Sequence, residues 1–283
     1  MQPTALALVL GAAFAHALWN LLAKRSGGGA AFLWLCAITG CLAYAPLAAT
    51  VLLLTGPHIG RVEVGFMAGS ATLHLGYFLA LQGGYRASDL SVVYPVARGS
   101  GPLLSTSAAI AVLGERPTPV ALAGAGLIGI GVLTLAGRRG WRGDGAGVAF
   151  GLLTGILIAC YTLWDKQAVG PLAIPAVILD WGSNMGRLLL LTPFAASRRE
   201  AVVEEWRSHR REVLGVGLLS PLAYILVLAA LAFTPVSYVA PAREVSILLA
   251  AFLGVRFLGE GDAPRRMVAA AAMLAGVVAL AVG

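Results

Sequence analysis

Long stretches of apolar residues alternate with short polar segments along the whole chain. Ten of these stretches contain about 20 residues, enough for a helix to cross a hydrocarbon core of about 30 Å. They lie near residues 4–22, 31–54, 65–85, 90–113, 118–136, 147–164, 174–195, 214–232, 237–257 and 264–282. In lipid the backbone must satisfy its own hydrogen bonds, so segments of this length are expected to be helical. The pattern predicts an all-α integral membrane protein with ten transmembrane helices and no soluble domain.

The composition agrees with this pattern. Of the 283 residues, 59% are hydrophobic and only 12% are charged, whereas soluble domains carry about 25% charged residues. The net charge of +7 does not indicate nucleic acid as a partner, because the basic residues lie in short loops at the ends of the predicted spans. All three cysteines fall inside spans, with a spacing that favours neither a disulfide framework nor a metal site. We therefore expect the bilayer and a small molecule as partners, and no cofactor.

The basic residues are distributed unevenly between the loops. Loops after odd-numbered spans carry fourteen Lys and Arg residues, whereas loops after even-numbered spans carry only Arg61, Arg116 and Lys166. The positive-inside rule then places the odd loops in the cytoplasm and both termini outside, in a multi-pass protein of the cell (inner) membrane. The longest loop, residues 197–213, has two open interpretations: a short helix on the lipid surface, or a solvated charged loop.

The chain also repeats itself. At a shift of 145 residues, Ala97-Arg98 aligns with Ala242-Arg243, Leu113-Gly114-Glu115 with Leu258-Gly259-Glu260, and Pro119 with Pro264. The halves, 1–137 and 146–283, hold five predicted spans each. An odd number of spans makes the second half enter the membrane from the opposite side. Inverted repeats of this kind are typical of secondary transporters, whose substrate site lies at the repeat interface near the bilayer midplane.

These features resemble the drug/metabolite transporter (DMT) superfamily, in its ten-helix form built from two EamA repeats. The resemblance is carried by WNLLAKR (19–25), LGER (113–116), LGEG (258–261) and the five-plus-five duplication. It implies transport of a small metabolite by alternating access, often export, and both termini in the cytoplasm. That orientation is the reverse of the one that the loop charges predict, and we prefer the charge count. The pattern YP-x-AR-G-x-x-PLL at 94–104 also resembles members associated with phosphonate utilisation.

Two arginines interrupt the apolar runs at depth, Arg98 in the fourth span and Arg243 in the ninth. A charge inside the membrane is costly and usually faces the bundle interior or a water-filled cavity. Arginine stays charged and offers a planar fork that fits carboxylate or phosphate. Because the duplication places these two arginines at equivalent positions, we expect them to converge on one cavity and bind an anionic group of the substrate. The alternative is a structural ion pair with Glu244.

Other polar residues inside the spans complete the predicted binding site. Asp180, Asn184 and Arg187 lie on one face of the seventh span, as a cavity wall or as a self-satisfied network. The remaining candidates are His16, Trp19, Asn20, His74, Tyr77, Tyr94 and Glu244. Trp164 and Asp165 lie near the end of the sixth span and are interpreted as interfacial anchors.

The resulting functional hypothesis is a secondary transporter for a small anionic or zwitterionic metabolite, acting as an exporter or exchanger. The substrate classes that fit are an amino acid, an organic acid, or a phosphate or phosphonate compound. Protons bound by the buried histidines or acids, and exchange without any coupling ion, agree equally well with the sequence. The alternative function is a membrane-embedded enzyme acting on lipid, but no His and carboxylate cluster with metal-binding spacing supports it.

Overall fold

The computed structural model describes residues 1–26, 29–88, 90–136, 145–249 and 263–283, which are helical and contain no strand. The helices are α1 (Pro3–Ser26), α2 (Ala30–Thr55), α3 (Arg61–Ala87), α4 (Leu90–Leu113), α5 (Pro119–Ala136), α6 (Gly145–Val169), α7 (Ala176–Ser197), α8 (Arg199–Phe233), α9 (Val236–Ala242) and α10 (Ala263–Val282). After α9 the chain turns at Arg243 and Glu244 and is helical again over 245–249. The all-α prediction is confirmed. The end of the ninth predicted span and the LGEG motif lie outside the described residues.

The outer surface of the bundle is apolar. Among the described residues, five helices are long and apolar enough to cross a membrane: α1, α2, α3, α6 and α8. Large side chains such as Leu53 and Leu54 are 85% and 81% exposed. In water such a surface would be an aggregation liability, but lipid tails are its natural partner. The chain is therefore a multi-pass membrane protein.

The packing of the helices is consistent with two inverted repeats. Exchanging the halves turns α1 into α6, α3 into α8, and α2 into α7. The packing of α1 on α8 is then equivalent to that of α6 on α3, and α2 on α8 is equivalent to α7 on α3; all four contacts are present. Exchanging the halves leaves the pairs α2–α7 and α5–α10 unchanged, and the helices of each pair also pack together.

Glycines allow two of these helix pairs to approach closely. A Cβ at Gly124 of α5 would lie 2.7 Å from the carbonyl oxygen of Gly276 on α10. A Cβ at Gly151 of α6 would lie 2.7 Å from the Cβ of Val96 on α4. Small residues at these contacts bring backbones together in lipid. The α4–α6 contact matters for function because each of these helices carries polar side chains toward the bundle interior.

The charged segment before the eighth span is helical. It forms the first part of α8, which is bent at His209, a residue with non-helical torsion angles (φ −129°, ψ 27°). Val203 and Trp206 are exposed on this part, whereas Val202 packs against a cluster that includes Phe32 and Val213. The segment therefore has a partly anchored apolar side rather than being a solvated loop.

Side chains from two other parts of the chain hold the junction between α8 and α9 at one end of the bundle. Gly114 adopts a left-handed conformation (φ 67°) directly after α4, which glycine tolerates well. The next residue, Glu115, accepts hydrogen bonds from the backbone N–H groups of Val236 at 2.6 Å and Ser237 at 2.8 Å. At the same end, the Lys166 ammonium donates to the carbonyl oxygens of Leu231 at 2.6 Å and Thr234 at 3.1 Å. These contacts fix the junction between α8 and α9.

Candidate functional site

Arg98 and Arg243 converge on one carboxylate. Nε of Arg98 lies 3.0 Å from Oε2 of Glu244, and Nε of Arg243 lies 3.6 Å from Oε1 of the same residue. All three residues are buried: Arg98 is 5% exposed, Arg243 8% and Glu244 1%. One arginine comes from the first half of the chain and the other from the second, so the two halves meet at this carboxylate. The predicted pair with Glu244 is present as well.

The local backbone explains how Arg243 and Glu244 reach this position. Pro241 lies in the last turn of α9, and the helix ends at Ala242. The following turn is tightened, since Glu244 N–H donates to the Pro241 carbonyl at 3.0 Å and Ser246 N–H to the Arg243 carbonyl at 3.1 Å. Helices broken at depth line substrate sites in transporters. By contrast, α4 stays helical across Pro102, so the break occurs in only one repeat of the described chain.

The charges in this trio do not balance. Two guanidinium groups face one carboxylate, which leaves one formal positive charge. Nη2 of Arg98 donates to Oγ of Ser246 at 3.3 Å, and Nη2 of Arg243 donates to the hydroxyl of Tyr161 at 3.1 Å. The Nε atoms of both arginines and both Glu244 oxygens lack a well-directed hydrogen bond among the described residues. The trio is therefore held by charge, and directional hydrogen-bonding capacity remains free for an anionic group.

Aromatic side chains form a wall beside the trio. Tyr161 lies under the Arg243 guanidinium, whose carbon is 5.6 Å from the ring centroid. His74 stacks on Tyr161 with ring centroids 4.2 Å apart and contacts Tyr224 edge-on at 4.9 Å. Tyr77 meets Tyr161 edge-on at 5.9 Å. The predicted residues His74 and Tyr77 thus belong to one aromatic cluster with Tyr161 and Tyr224, which were not predicted.

Two further predicted residues approach the arginines. Tyr94 lies one turn before Arg98 on α4 and interacts with its side chain. His16 of α1 is close enough to both arginines for a Coulombic interaction, and its ring packs edge-on against Trp19 with centroids 4.7 Å apart. Nε1 of Trp19 is buried and has no hydrogen-bond partner among the described residues. Asn20 instead donates to the His16 carbonyl of its own helix at 2.7 Å.

The α7 residues form a separate polar group. Asp180 and Asn184 are buried, and Nδ2 of Asn184 donates to the Ala37 carbonyl of α2 at 3.3 Å. Asn184 therefore packs α7 onto α2. Asp180 and Arg187 interact electrostatically. However, Oδ2 of Asp180 and Nε of Arg187 have no hydrogen-bond partner in the described ranges.

Asp165 is not an interfacial anchor, which corrects the sequence interpretation. Helix α6 runs to Val169, past the predicted end of the sixth span at 164, so Asp165 lies inside the bundle and is 0% exposed. Its Oδ2 accepts a short hydrogen bond from the Tyr224 hydroxyl. The spacing of four residues from Tyr161 was the available signal, because it puts both side chains on one helix face. Trp164 does lie outward, 37% exposed, with Nε1 donating to the Phe66 carbonyl at 2.9 Å.

Comparison with known proteins supports the fold and assigns a family to half of the chain. Residues 145–282 match the EamA-like transporter family. A solved crystal structure superposes with a TM-score of 0.76 at 18% sequence identity, over 99% of this chain and 96% of that one. This likeness concerns the fold alone. A search of curated proteins returned no match.

Proposed function

Because residues 145–282 match the EamA-like transporter family, we propose that this chain is a transporter of the drug/metabolite transporter superfamily and moves a small anionic or zwitterionic metabolite by alternating access. The substrate classes are an amino acid, an organic acid, or a phosphate or phosphonate compound. The proposed role is export or exchange across the inner membrane. The family consists of transporters, and we propose no catalytic activity for the chain.

The observation that carries this proposal is the buried trio of Arg98, Arg243 and Glu244, with two cations against one anion. Desolvated arginine forks bind carboxylate and phosphate strongly and with defined geometry. A substrate anion would compensate the unbalanced charge and use the donors that Glu244 leaves free. An amino acid would in addition place its ammonium group against Glu244 and the face of Tyr161.

The position of the trio suits alternating access. Arg98 belongs to the proposed first repeat, residues 1–137, and Arg243 to the proposed second repeat, residues 146–283. A substrate held by both arginines would link the two repeats, and rocking of one repeat against the other would expose it to either side. The aromatic cluster around Tyr161 would provide apolar contact for the body of the substrate.

The test is a thermal-shift screen of detergent-purified protein against amino acids, organic acids, sugar phosphates and phosphonates. A ligand at about 100 times its Kd stabilises the folded state by about 2.7 kcal/mol. We expect an anion to stabilise the wild type and to lose this effect in Arg98→Gln and in Arg243→Gln. Arg207→Gln is the matched control, because it removes the same charge from an exposed position on α8.

The control variant should retain the full shift. Stabilisation by cations or neutral compounds, equal in all four proteins, would show that the arginines are structural and that the anion proposal is wrong.

A further inference from the structure

A second buried acidic site lies next to the arginine trio. Asp165 of α6 is 0% exposed, and its Oδ2 accepts the hydrogen bond of the Tyr224 hydroxyl. Its other oxygen, Oδ1, is buried and has no hydrogen-bond partner among the described residues. Ser70 of α3, itself 0% exposed, lies beside the carboxyl group. One carboxyl oxygen thus accepts from the Tyr224 hydroxyl, and the other lies beside the Ser70 hydroxyl without a well-directed hydrogen bond.

Charged and titratable groups approach Asp165 from each neighbouring helix. Those that interact with it directly are Asp180 and Arg187 on α7, Tyr224 on α8 and Arg243 after α9. His74 on α3 contacts Tyr224 and Tyr161 of α6, and Arg98 on α4 and Glu244 belong to the trio around Arg243. In the described part of the chain none of the basic groups lies within 4.0 Å of Asp165 as an ion pair. The Coulombic influence of Arg187 and Arg243 therefore acts from a greater distance.

An ionised carboxylate in such a place carries a desolvation cost of several kcal/mol. A direct ion pair would offset this cost, but the described residues provide none. Binding of a proton at Oδ1 removes the cost, and the Tyr224 hydroxyl remains a suitable donor to Oδ2. The hydroxyl of Ser70 is then available as the acceptor for the bound proton. A sodium ion would require several more oxygen ligands than these two side chains supply.

The carboxyl group is connected to the arginine trio through the aromatic cluster. Tyr161 lies four residues before Asp165 on the same face of α6, and its hydroxyl accepts from Arg243 at 3.1 Å. His74 packs between the two tyrosines, stacked on Tyr161 and edge-on to Tyr224. Its Nδ1 lies 2.9 Å from the Ser70 carbonyl oxygen. Displacement of Arg243 by a bound anion would therefore be felt at Tyr161, His74 and Tyr224.

From this geometry we propose that Asp165, with Tyr224 and Ser70, is a proton-binding site coupled to the occupancy of the Arg98–Arg243 site. The proposal rests on the proposed function, because it takes the arginine pair as the anion site. A proton on Asp165 removes a negative charge near Arg243 and so strengthens anion binding. By reciprocity the anion strengthens proton binding by the same factor. An anionic metabolite then travels with a proton, in the direction set by their combined gradients.

The test uses two readouts on purified protein. The first is infrared difference spectroscopy between alkaline and acidic solution, without ligand. A carboxylic C=O band that appears on acidification in the wild type and is missing in Asp165→Asn is the expected result. Tyr224→Phe keeps the carboxyl but removes its hydrogen bond, so it should retain the band at a changed frequency. If Asp165→Asn does not fold, the changed frequency in Tyr224→Phe identifies the band instead.

The second readout is the affinity for sulfate, an anion whose charge is constant over this pH range, measured by thermal shift. In the wild type we expect sulfate affinity to rise about tenfold on acidification. In Asp165→Asn the affinity should stay at the acidic level at every pH, because asparagine is permanently neutral. Glu200→Gln, which removes an acid from an exposed position at the start of α8, should retain the wild-type dependence. His16, which interacts electrostatically with both arginines, is unchanged in all variants, so it cannot account for a difference between them.

The outcomes separate the two proposals. Absence of the Asp165 band overturns the proton site, whatever sulfate does. Sulfate binding with the same pH dependence in wild type and Asp165→Asn overturns the coupling but leaves the arginine site intact. Failure of sulfate and every anion of the screen to bind at any pH overturns the anion site, and the coupling with it.

Discussion

Glu115 in the loop between α4 and α5 provides a direct test of how the broken ninth span is held in place. Its two carboxylate oxygens accept the N–H groups of Val236 at 2.6 Å and Ser237 at 2.8 Å. These residues open α9, and the first N–H groups of a helix have no partner within it. Replacement of Glu115 by alanine would leave both donors without an acceptor.

The expected cost follows from these two bonds. A hydrogen bond to a charged group contributes about 1.5–3 kcal/mol, so two give about 3–6 kcal/mol. Val236 and Ser237 are buried, but Glu115 is only partly buried, so water can replace part of the lost interaction. We therefore expect Glu115→Ala to lower the free energy of unfolding by about 2–4 kcal/mol. Glu115→Gln keeps one acceptor oxygen and should lose about half as much.

The assay is equilibrium unfolding of the purified protein in mixed micelles with increasing SDS, followed by loss of helical circular dichroism. Glu63→Ala is the matched control. Oε2 of Glu63 also accepts a backbone N–H, that of Gly60 at 2.7 Å, but within its own helix start. A local cap of this kind contributes about 1 kcal/mol. If Glu115→Ala costs no more than Glu63→Ala, Glu115 does not hold α9 and the reasoning is refuted.

Two further predictions concern packing and topology. Gly124→Ala should destabilise the α5–α10 contact by about 1–3 kcal/mol, because its Cβ would meet the backbone of Gly276, whereas Gly126→Ala on the same helix, with nothing within 4 Å, should be neutral or slightly stabilising. Equal effects of the two changes in SDS unfolding would contradict this view of the contact. The excess of basic residues in odd-numbered loops predicts that a C-terminal reporter fusion is active only outside the cytoplasm, and activity only in the cytoplasm would reverse the orientation.

The helices could be predicted from the sequence because burial in lipid demands long apolar runs, and such runs are visible without any knowledge of neighbours. The ends of the helices were harder to predict from the sequence. The sixth span was expected to end at 164, yet α6 continues to Val169. Its last turn contains Asp165, Lys166 and Gln167, which lower the local hydropathy. A polar residue at a span end and a polar residue buried by a neighbouring helix look alike in one sequence.

Which side chains meet in the interior could be predicted where two signals agreed and was missed where only one was present. Arg98 and Arg243 are charged at depth and are also related by the internal repeat, so their convergence followed from the sequence. Asp165 has no acidic counterpart in the first half: at a shift of 142 residues, which aligns Lys166 with Lys24, it falls on Ala23, and at a shift of 145 it falls on Asn20. The spacing within one helix could give the face on which Asp165 lies, but not the identity of Tyr224 across from it.

The position of Asp165 changes the charge balance of the interior. Without Asp165, two or three arginines inside the spans would face only Asp180 and Glu244, which would leave the interior net positive. With Asp165 included, the described core holds Arg98, Arg187 and Arg243 against Asp165, Asp180 and Glu244, which is even if all are ionised.

An even balance has a consequence for a carrier that must reorient within a low-dielectric membrane. Net charge moved through such a medium is costly. The empty carrier with ionised Asp165 is neutral in its core, and so is the carrier loaded with a monoanion and a proton on Asp165. The carrier loaded with the anion alone has one excess negative charge and is disfavoured. On the proposed assignments, the proton site would therefore suppress uncoupled movement of the anion, since the empty state and the doubly loaded state are the two without net charge in the core.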